Sequence, residues 1–315
     1  MPLRLFFIPV PTVPHAPPPG DPPLPPPPLL PVKFAGVTLG SGIATNSGGA
    51  ISNGGKLTVV NSVVKNSESG GSGGAIYSAS TSQLRLYSCQ FTGNKATVDG
   101  GAVFVGDDAQ VSIYGSTFSE NRAGRGGAVA MLARTSLLID GAVDPATGMP
   151  VVGPRSRFET NVAQHGGAVA VLGGLGSSAT LKQSDFVENQ ATAGEGGAVY
   201  ASAGPGATIS FDGCTFTLNT ATSHGGAVSL SAWDGVFSFC PFTDNNAAVG
   251  GSAVAVKAGQ SASFQTCAFS NTVAPTTRLI CAIGSLFGAN PTVVVTLTGC
   301  TGIPTRTTCT NSECD

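Results

Sequence analysis

Acid–base chemistry needs carboxylates and a histidine close together, and the chain offers Asp107-Asp108 and Ser223-His224-Gly225. Such a set could protonate a leaving group and activate water in glycoside hydrolysis. A second set, His165, Glu195 and His224, has donor types found in zinc sites. A third, Cys214, Cys240 and Cys267, offers thiolates at near-regular spacing. Neither HExxH nor a phosphate-binding P-loop occurs. Each set can act only if the fold gathers it within a few ångströms.

Composition limits the folds that could do so. The chain has 315 residues, 44 of them Gly, with only 10% charged residues and a net charge of −2. Ordinary domains carry about 7% Gly and roughly 25% charge. A near-neutral balance supplies no field to steer nucleic acid, so no nucleic-acid partner is expected. Gly lacks the three-residue period of collagen, and 41% hydrophobic content argues against simple disorder. No apolar run reaches 18 residues, so no transmembrane helix is expected.

The excess Gly recurs in register. Gly-Gly-Ala followed by Ile or Val begins at Gly48 and again at Gly73-Gly74, Gly100-Gly101, Gly126-Gly127, Gly166-Gly167, Gly196-Gly197 and Gly225-Gly226. A degenerate copy runs from Gly250 to Val254. Between them stands Phe-x-x-Asn: Phe91/Asn94, Phe118/Asn121, Phe158/Asn161, Phe186/Asn189, Phe216/Asn219 and Phe242/Asn245. Val63/Asn66 takes its place in the first copy, and Phe269 with Asn271 in the last.

One repeat, Gly100 to Asn121, holds three short β-prone runs and no helical period. Three strands per repeat suit a coil that stacks on itself, so the expectation is all-β: a parallel β-solenoid of about eight three-strand coils. Gly-Gly permits a corner that a Cβ would forbid. Phe should stack in the interior, and Asn should take the left-handed corner and form an amide ladder. The residue two before each Phe (Cys89, Ser116, Ser156, Ser184, Cys214, Cys240, Cys267) reads as a small buried column. Asp99, Arg125, His165, Glu195 and His224 precede the Gly-Gly pairs and should form exposed cross-coil pairs.

The boundaries follow. Residues 1–34 read as a disordered, proline-rich polyproline II spacer holding 14 of the 22 prolines, with residues 1–8 a weak signal-sequence candidate. Residues 35–272 are the repeats, with an insertion near 140–157 expected to project as a loop. Residues 273–315 hold a degenerate last coil and a tail. Cys281, Cys300, Cys309 and Cys314 lie there, with pairing open and an oxidising compartment favoured.

The paired GGA[IV] and FxxN motifs, over about residues 46 to 272, resemble the repeats of the chlamydial polymorphic outer membrane protein family. Such repeats also occur in surface proteins of other bacteria and of green algae. The resemblance implies a right-handed β-helix of the pectin-lyase-like class and an extracellular or cell-surface passenger used in adhesion. It makes the repeat copies, from Gly73 to Asn94 onward, the adhesive elements. Autotransporter members end in a membrane β-barrel, and nothing after residue 272 is long enough for one. The proline-rich start resembles in composition the hydroxyproline-rich wall glycoproteins of green algae.

Polygalacturonase-type β-helices are similar in carrying an Asp pair, Ser-His-Gly and Arg-x-Lys. Here Arg278-Leu279-Ile280 lacks the Lys, and about 116 residues, some four coils, separate Asp108 from His224. No catalytic, cofactor or metal residue is therefore assigned. The expected function is a non-enzymatic surface module for adhesion or wall structure. Tyr77, Phe104 and Tyr200 would present outward aromatic contacts to a host-cell or cell-wall glycan or protein, and end-to-end or lateral self-association is a further expectation. The alternatives are a carbohydrate-active β-helix enzyme and an inert fragment of a larger surface protein.

Overall fold

Each Gly-Gly-Ala feeds a three-residue strand, a five- or six-residue strand and a Phe strand, and these three build the faces of a right-handed parallel solenoid. The computed structural model describes residues 6–9, 31–174, 176–202, 207–257, 260–270, 280–283 and 294–301. The first face has ten strands, from Phe6–Ile8 through Val103–Val105 to Ile280–Ile283. The second also has ten, from Pro31–Ala35 to Val294–Thr298, and the third nine, from Thr38–Gly40 to Ala268–Ser270. Every ladder between these strands is parallel, as a chain that always turns the same way requires. That makes nine complete coils, a rod of roughly 45 Å at about 4.8 Å per coil.

The extra coil comes from ahead of the first Gly-Gly. Phe6–Ile8 pairs with Ile51–Asn53, and Pro31–Ala35 with Lys56–Val60. Pro31 tolerates this place because it opens the outermost strand, where a missing donor costs little. Residues 10–30, the bulk of the proline-rich segment, lie outside the described residues, as do Asn271, Cys309 and Cys314 and the side chain of Cys281.

The two motifs divide the work of the corners differently from expectation. In Gly100-Gly101 the first Gly has φ +64°, while the second lies so close to the next coil that a Cβ would sit on the Gly127 carbonyl. The Asn half of the expectation needs correcting. Asn94, Asn121, Asn161, Asn189, Asn219 and Asn245 form the buried ladder, but none of them takes the left-handed corner. That corner belongs to the residue before each: Gly93, Glu120, Thr160, Glu188, Leu218 and Asp244. Asn245 shows why. Its Nδ2 donates to the Phe216 carbonyl at 2.9 Å, and its Oδ1 accepts from Asn219 Nδ2 at 2.9 Å and the Asn219 N–H at 3.0 Å. An amide so engaged must face the interior, so the turn falls one residue earlier, on Asp244 with φ +51°.

The first copy shifts accordingly. Val64 pairs with Phe91, Ser67 donates its backbone N–H to Asn94 Oδ1, and Asn66 takes the left-handed corner. Val64 and Ser67, not Val63 and Asn66, are thus the Phe and Asn equivalents. A two-residue strand after each Asn, such as Gln190–Ala191, adds a short fourth ladder.

Leu218 is an exposed apolar residue in that corner, with φ +56°. A Cβ in the left-handed region costs about 1–2 kcal/mol. Leu218→Gly, which copies Gly93, should raise stability by about 0.5–1 kcal/mol after the entropy of the unfolded Gly is deducted. The check is a higher urea midpoint with an unchanged m-value.

Inside, Phe91, Phe118, Phe158, Phe186, Phe216, Phe242 and Phe269 stack in one column, with centroids 4.8 to 5.0 Å apart. A second column, Phe211, Phe237 and Phe264, stacks at 4.6 Å on the second face. Two of these rings follow a small residue two positions earlier, Gly235 before Phe237 and Ala262 before Phe264, whereas Phe211 follows Ile209. A Cβ on Gly235 would meet Leu230 Cδ1 at 2.5 Å and Phe237 Cε2 at 2.9 Å. At Phe237 and Phe264 a large ring is thus offset by a small neighbour on the same strand.

The insertion is a small antiparallel hairpin, bridged at Val143 and Pro150, with Met149, Val151 and Val152 exposed near its tip. Arg155 pins its base. The guanidinium donates to Asp185 Oδ1 at 2.7 Å, Gln183 Oε1 at 2.8 Å and the Ser184 and Gly213 carbonyls, so it reaches across two further coils.

Candidate functional site

The first face carries the richest polar cluster. Alternation points Ser52, Tyr77, Phe104, Ala130, Ala170, Tyr200, Ser229 and Ala255 outward, yet Ala130, Ala170, Ser229 and Ala255 are fully buried and Phe104 is 6% exposed. Each Gly-Gly corner folds back over the outside of the strands: a Cβ on Gly48 would lie 3.0 Å from Tyr77 Cβ, and one on Gly166 3.1 Å from Tyr200 Cβ. The expected outward aromatic contacts are corrected by this. Phe104 is covered and stacks on half-buried Tyr77 at 5.2 Å, and half-buried Tyr200 packs against His165 at 5.0 Å.

Of the residues before the Gly-Gly pairs, expected to form exposed pairs, Asp99 and Glu195 are buried and His165 and His224 half-buried, while Arg125 is exposed. Arg125 and Asp99 form a bidentate pair at 2.7 and 2.8 Å, and Asp99 is 4% exposed. Glu195 is the centre of a network the sequence did not disclose. Its Oε2 accepts from Ser229 Oγ and Ser231 Oγ, each at 3.0 Å, and its Oε1 lies 2.8 Å from Lys257 Nζ and 3.8 Å from His224 Nδ1. Lys257 sits two coils on from Glu195, and no motif marks it. The alternation in Val228-Ser229-Leu230-Ser231 was the one available signal that both serines share a face.

Burial alone would raise the Glu195 carboxyl, but Lys257 and the two serines outweigh it and hold the group below the ordinary carboxylate range. Desolvation lowers the His165 imidazole, more than the Glu195 carboxylate raises it, so His165 favours its neutral form. Both shifts are downward. The stability they contribute is therefore present at neutral pH, falls as pH drops through the ordinary histidine range, and falls further as Glu195 protonates below the ordinary carboxylate range. Glu195→Gln should cost about 1–3 kcal/mol at pH 7 and flatten the acid-side loss. Urea unfolding at pH 7 and pH 4 checks it; equal losses at both would refute the assignment.

The cluster does not assemble a nucleophilic relay. Ser223 Oγ lies 2.8 Å from His224 Nδ1, the same nitrogen that faces Glu195, whereas a triad needs opposite nitrogens. Gly70-Gly71-Ser72-Gly73-Gly74 spells the GxSxG of a nucleophile elbow, but its second pair is an ordinary coil corner, and the Ser72 N–H donates to Ser47 Oγ. A strand, Ile76–Ser78, follows it in place of the helix an elbow requires. Asp107 and Asp108 are occupied elsewhere. Asp107 Oδ1 accepts from the Ala133 N–H, and Asp108 pairs with Arg134 at 2.7 Å. They lie four coils, about 19 Å, from His224.

The cysteine column is structural in its contacts. The Sγ atoms of Cys89, Cys214, Cys240 and Cys267 each lie within hydrogen-bond reach of two backbone carbonyls, one on their own coil and one on the coil before, either of which can accept the single thiol proton. Hydrogen bonds between neighbouring thiols, and then burial, push Cys240 and Cys267 upward, away from the thiolate that metals bind. Among the described residues no three donors gather as a metal site.

The fold and its columns define a class: a right-handed parallel β-solenoid whose coils repeat a small residue, Phe, Asn and a Gly-Gly corner. The model of the Chlamydia polymorphic membrane protein repeat matches residues 88–106 and 213–231, and the parallel solenoid is consistent with a β-helix of that type. Each match runs from the corner before Cys89 or Cys214 to just past the next first-face strand, through Phe91 and Asn94 or Phe216 and Asn219. No curated protein and no solved structure matches the chain. That repeat family is not an enzyme family.

Proposed function

We propose that the protein is a cell-surface module that holds a rigid rod away from its anchor and makes multivalent contacts with glycan or protein surfaces. The observation that supports this is the repeat itself: two copies match a surface-protein repeat, and stacking sets outer side chains about 4.8 Å apart along the rod. A ligand with its own repeat can then meet several coils at once, and effective concentration multiplies weak contacts. The insertion hairpin, with Met149, Val151 and Val152 exposed, adds one apolar contact point. Binding of the whole chain to intact cells and to immobilised polysaccharides and proteins tests the reading. Saturable binding supports it, and absence of binding to all of them overturns it.

A further inference from the structure

Charges on adjacent coils follow a rule with one exception among the described residues. Where in-register neighbours on adjacent coils are both charged, they alternate in sign: Asp99 with Arg125, Arg157 with Asp185, Lys182 with Asp212 and Glu68 with Lys95. This is expected, because like charges directly opposite across a ladder destabilise it. Lys95 and Arg122 break the rule. They are in register on successive coils, both exposed, and neither forms an ion pair among the described residues.

The exception stands over a depression of about 400 Å³ lined by Glu68, Gly93, Asn94, Lys95, Glu120, Arg122 and Thr160. At its floor is Gly93, whose corner carries a side chain on both neighbouring coils, Asn66 before and Glu120 after; the Asn66 amide leans over Gly93, with its Oδ1 2.7 Å from where a Cβ would stand. Glu68 and Glu120 form no ion pair among the described residues either. Lys95 and Arg122, side by side and ion-paired with neither carboxylate, match the two oxygens of a carboxylate or sulfate. The two carboxylates around them, and Thr160 Oγ1, whose proton goes to the Glu159 carbonyl, can accept from ring hydroxyls, and the volume lies within the range of small-ligand sites.

We propose that this depression binds an acidic sugar unit of a polysaccharide, with Lys95 and Arg122 holding its carboxylate or sulfate and Glu68, Glu120 and Thr160 meeting its hydroxyls. The proposal rests on the surface-contact reading above and names the ligand class. Titration calorimetry of the whole chain with a galacturonate oligosaccharide, a sulfated oligosaccharide and a neutral oligosaccharide tests it. One or both acidic probes should bind and the neutral one should not, and which acidic probe binds identifies the oxyanion.

Lys95→Gln with Arg122→Gln should weaken binding at least tenfold while leaving the melting temperature unchanged or higher, since repulsion is relieved. Gly93→Asn, which keeps all four charges but puts a side chain on the wall of the depression and displaces the Asn66 amide, should weaken binding as well. Arg85→Gln, an exposed cation on the second face, should bind as the unaltered chain does. Failure of every acidic probe, or equal binding by the double variant, overturns the site. Cell binding by the same proteins separates the two readings. If the double variant still binds cells, the site falls and the surface module stands; if the unaltered chain binds acidic sugar but no cell, the reverse holds.

Discussion

Gly197→Ala is expected to abolish folding, although it adds a single methyl group. The Cβ would lie 2.0 Å from the Gly226 carbonyl oxygen, 2.6 Å from the Thr220 carbonyl oxygen and 2.7 Å from the Thr220 nitrogen. All three obstacles are backbone, held by ladders on both sides, so none can turn away as a side chain would. The neighbouring hydrogen bonds, Gly197 N–H to the Gly225 carbonyl at 3.0 Å and Ala198 N–H to the Ala227 carbonyl at 2.9 Å, fix the same spacing. Relief would require two coils to part locally, breaking bonds that each contribute about 1 kcal/mol and exposing Val199 and Val228. A domain is stable by only about 5–15 kcal/mol, and a loss above about 5 would leave little folded protein. Gly148→Ala is the matched control. Gly148 has φ +70° but nothing within 4 Å of a Cβ, so only the backbone term of about 1–2 kcal/mol applies. Circular dichroism and urea unfolding check both; a folded Gly197→Ala protein would refute the packing argument.

Asn189→Ala is expected to cost about 3–5 kcal/mol, and to cost it in the middle of the rod. The Asn189 side-chain amide makes four hydrogen bonds. Its Nδ2 donates to Asn219 Oδ1 at 2.9 Å and to the Phe158 carbonyl at 3.0 Å, and its Oδ1 accepts from Asn161 Nδ2 at 3.0 Å and the Asn161 N–H at 3.1 Å. Removing the amide orphans a buried backbone N–H and strips partners from three other buried groups. An unsatisfied buried group costs about 1–3 kcal/mol, and a cavity term adds to it. Because each coil touches only its neighbours, stability is close to a sum along the rod, and a break between coils should divide it. Urea unfolding should therefore change from one transition to a broader or two-step one. A single sharp transition at the original midpoint would refute the role assigned to the ladder.

Much of this architecture could be read before the structure. The co-recurrence of Gly-Gly-Ala with Phe-x-x-Asn was enough for strand count, direction and stacking, because only a coil that closes on itself meets the same demands every 25 to 30 residues. The interior positions of Phe91 to Phe242 followed from alternation alone. The sequence was less informative at the corners. Asn66 and Gly93 share one corner although only the first is Asn, since the corner selects for backbone freedom and the ladder, one residue later, selects for an amide. Asp244 and Asn245 divide the same two tasks near the other end of the rod. The first coil went unseen because Phe6–Ile8 and Pro31–Ala35 carry neither motif and are recruited only by the unpaired edge beside them.

What the sequence by itself determined is what repetition determines: the β-solenoid, its buried Phe and Asn columns, and the scarcity of charge that opposite pairing in stacked coils demands. The tertiary structure decided which side chains meet across coils and which outward positions stay accessible. The Gly-Gly corners fold over the first face and bury Phe104, and Glu195 reaches Lys257 across two coils. Lys95 meets Arg122 in register beside Gly93, over which the Asn66 amide leans. Periodicity specifies the position of a residue within its coil, but contacts between unlike residues on different coils depend on register, which the varying spacing of the repeats conceals until the backbone is laid down.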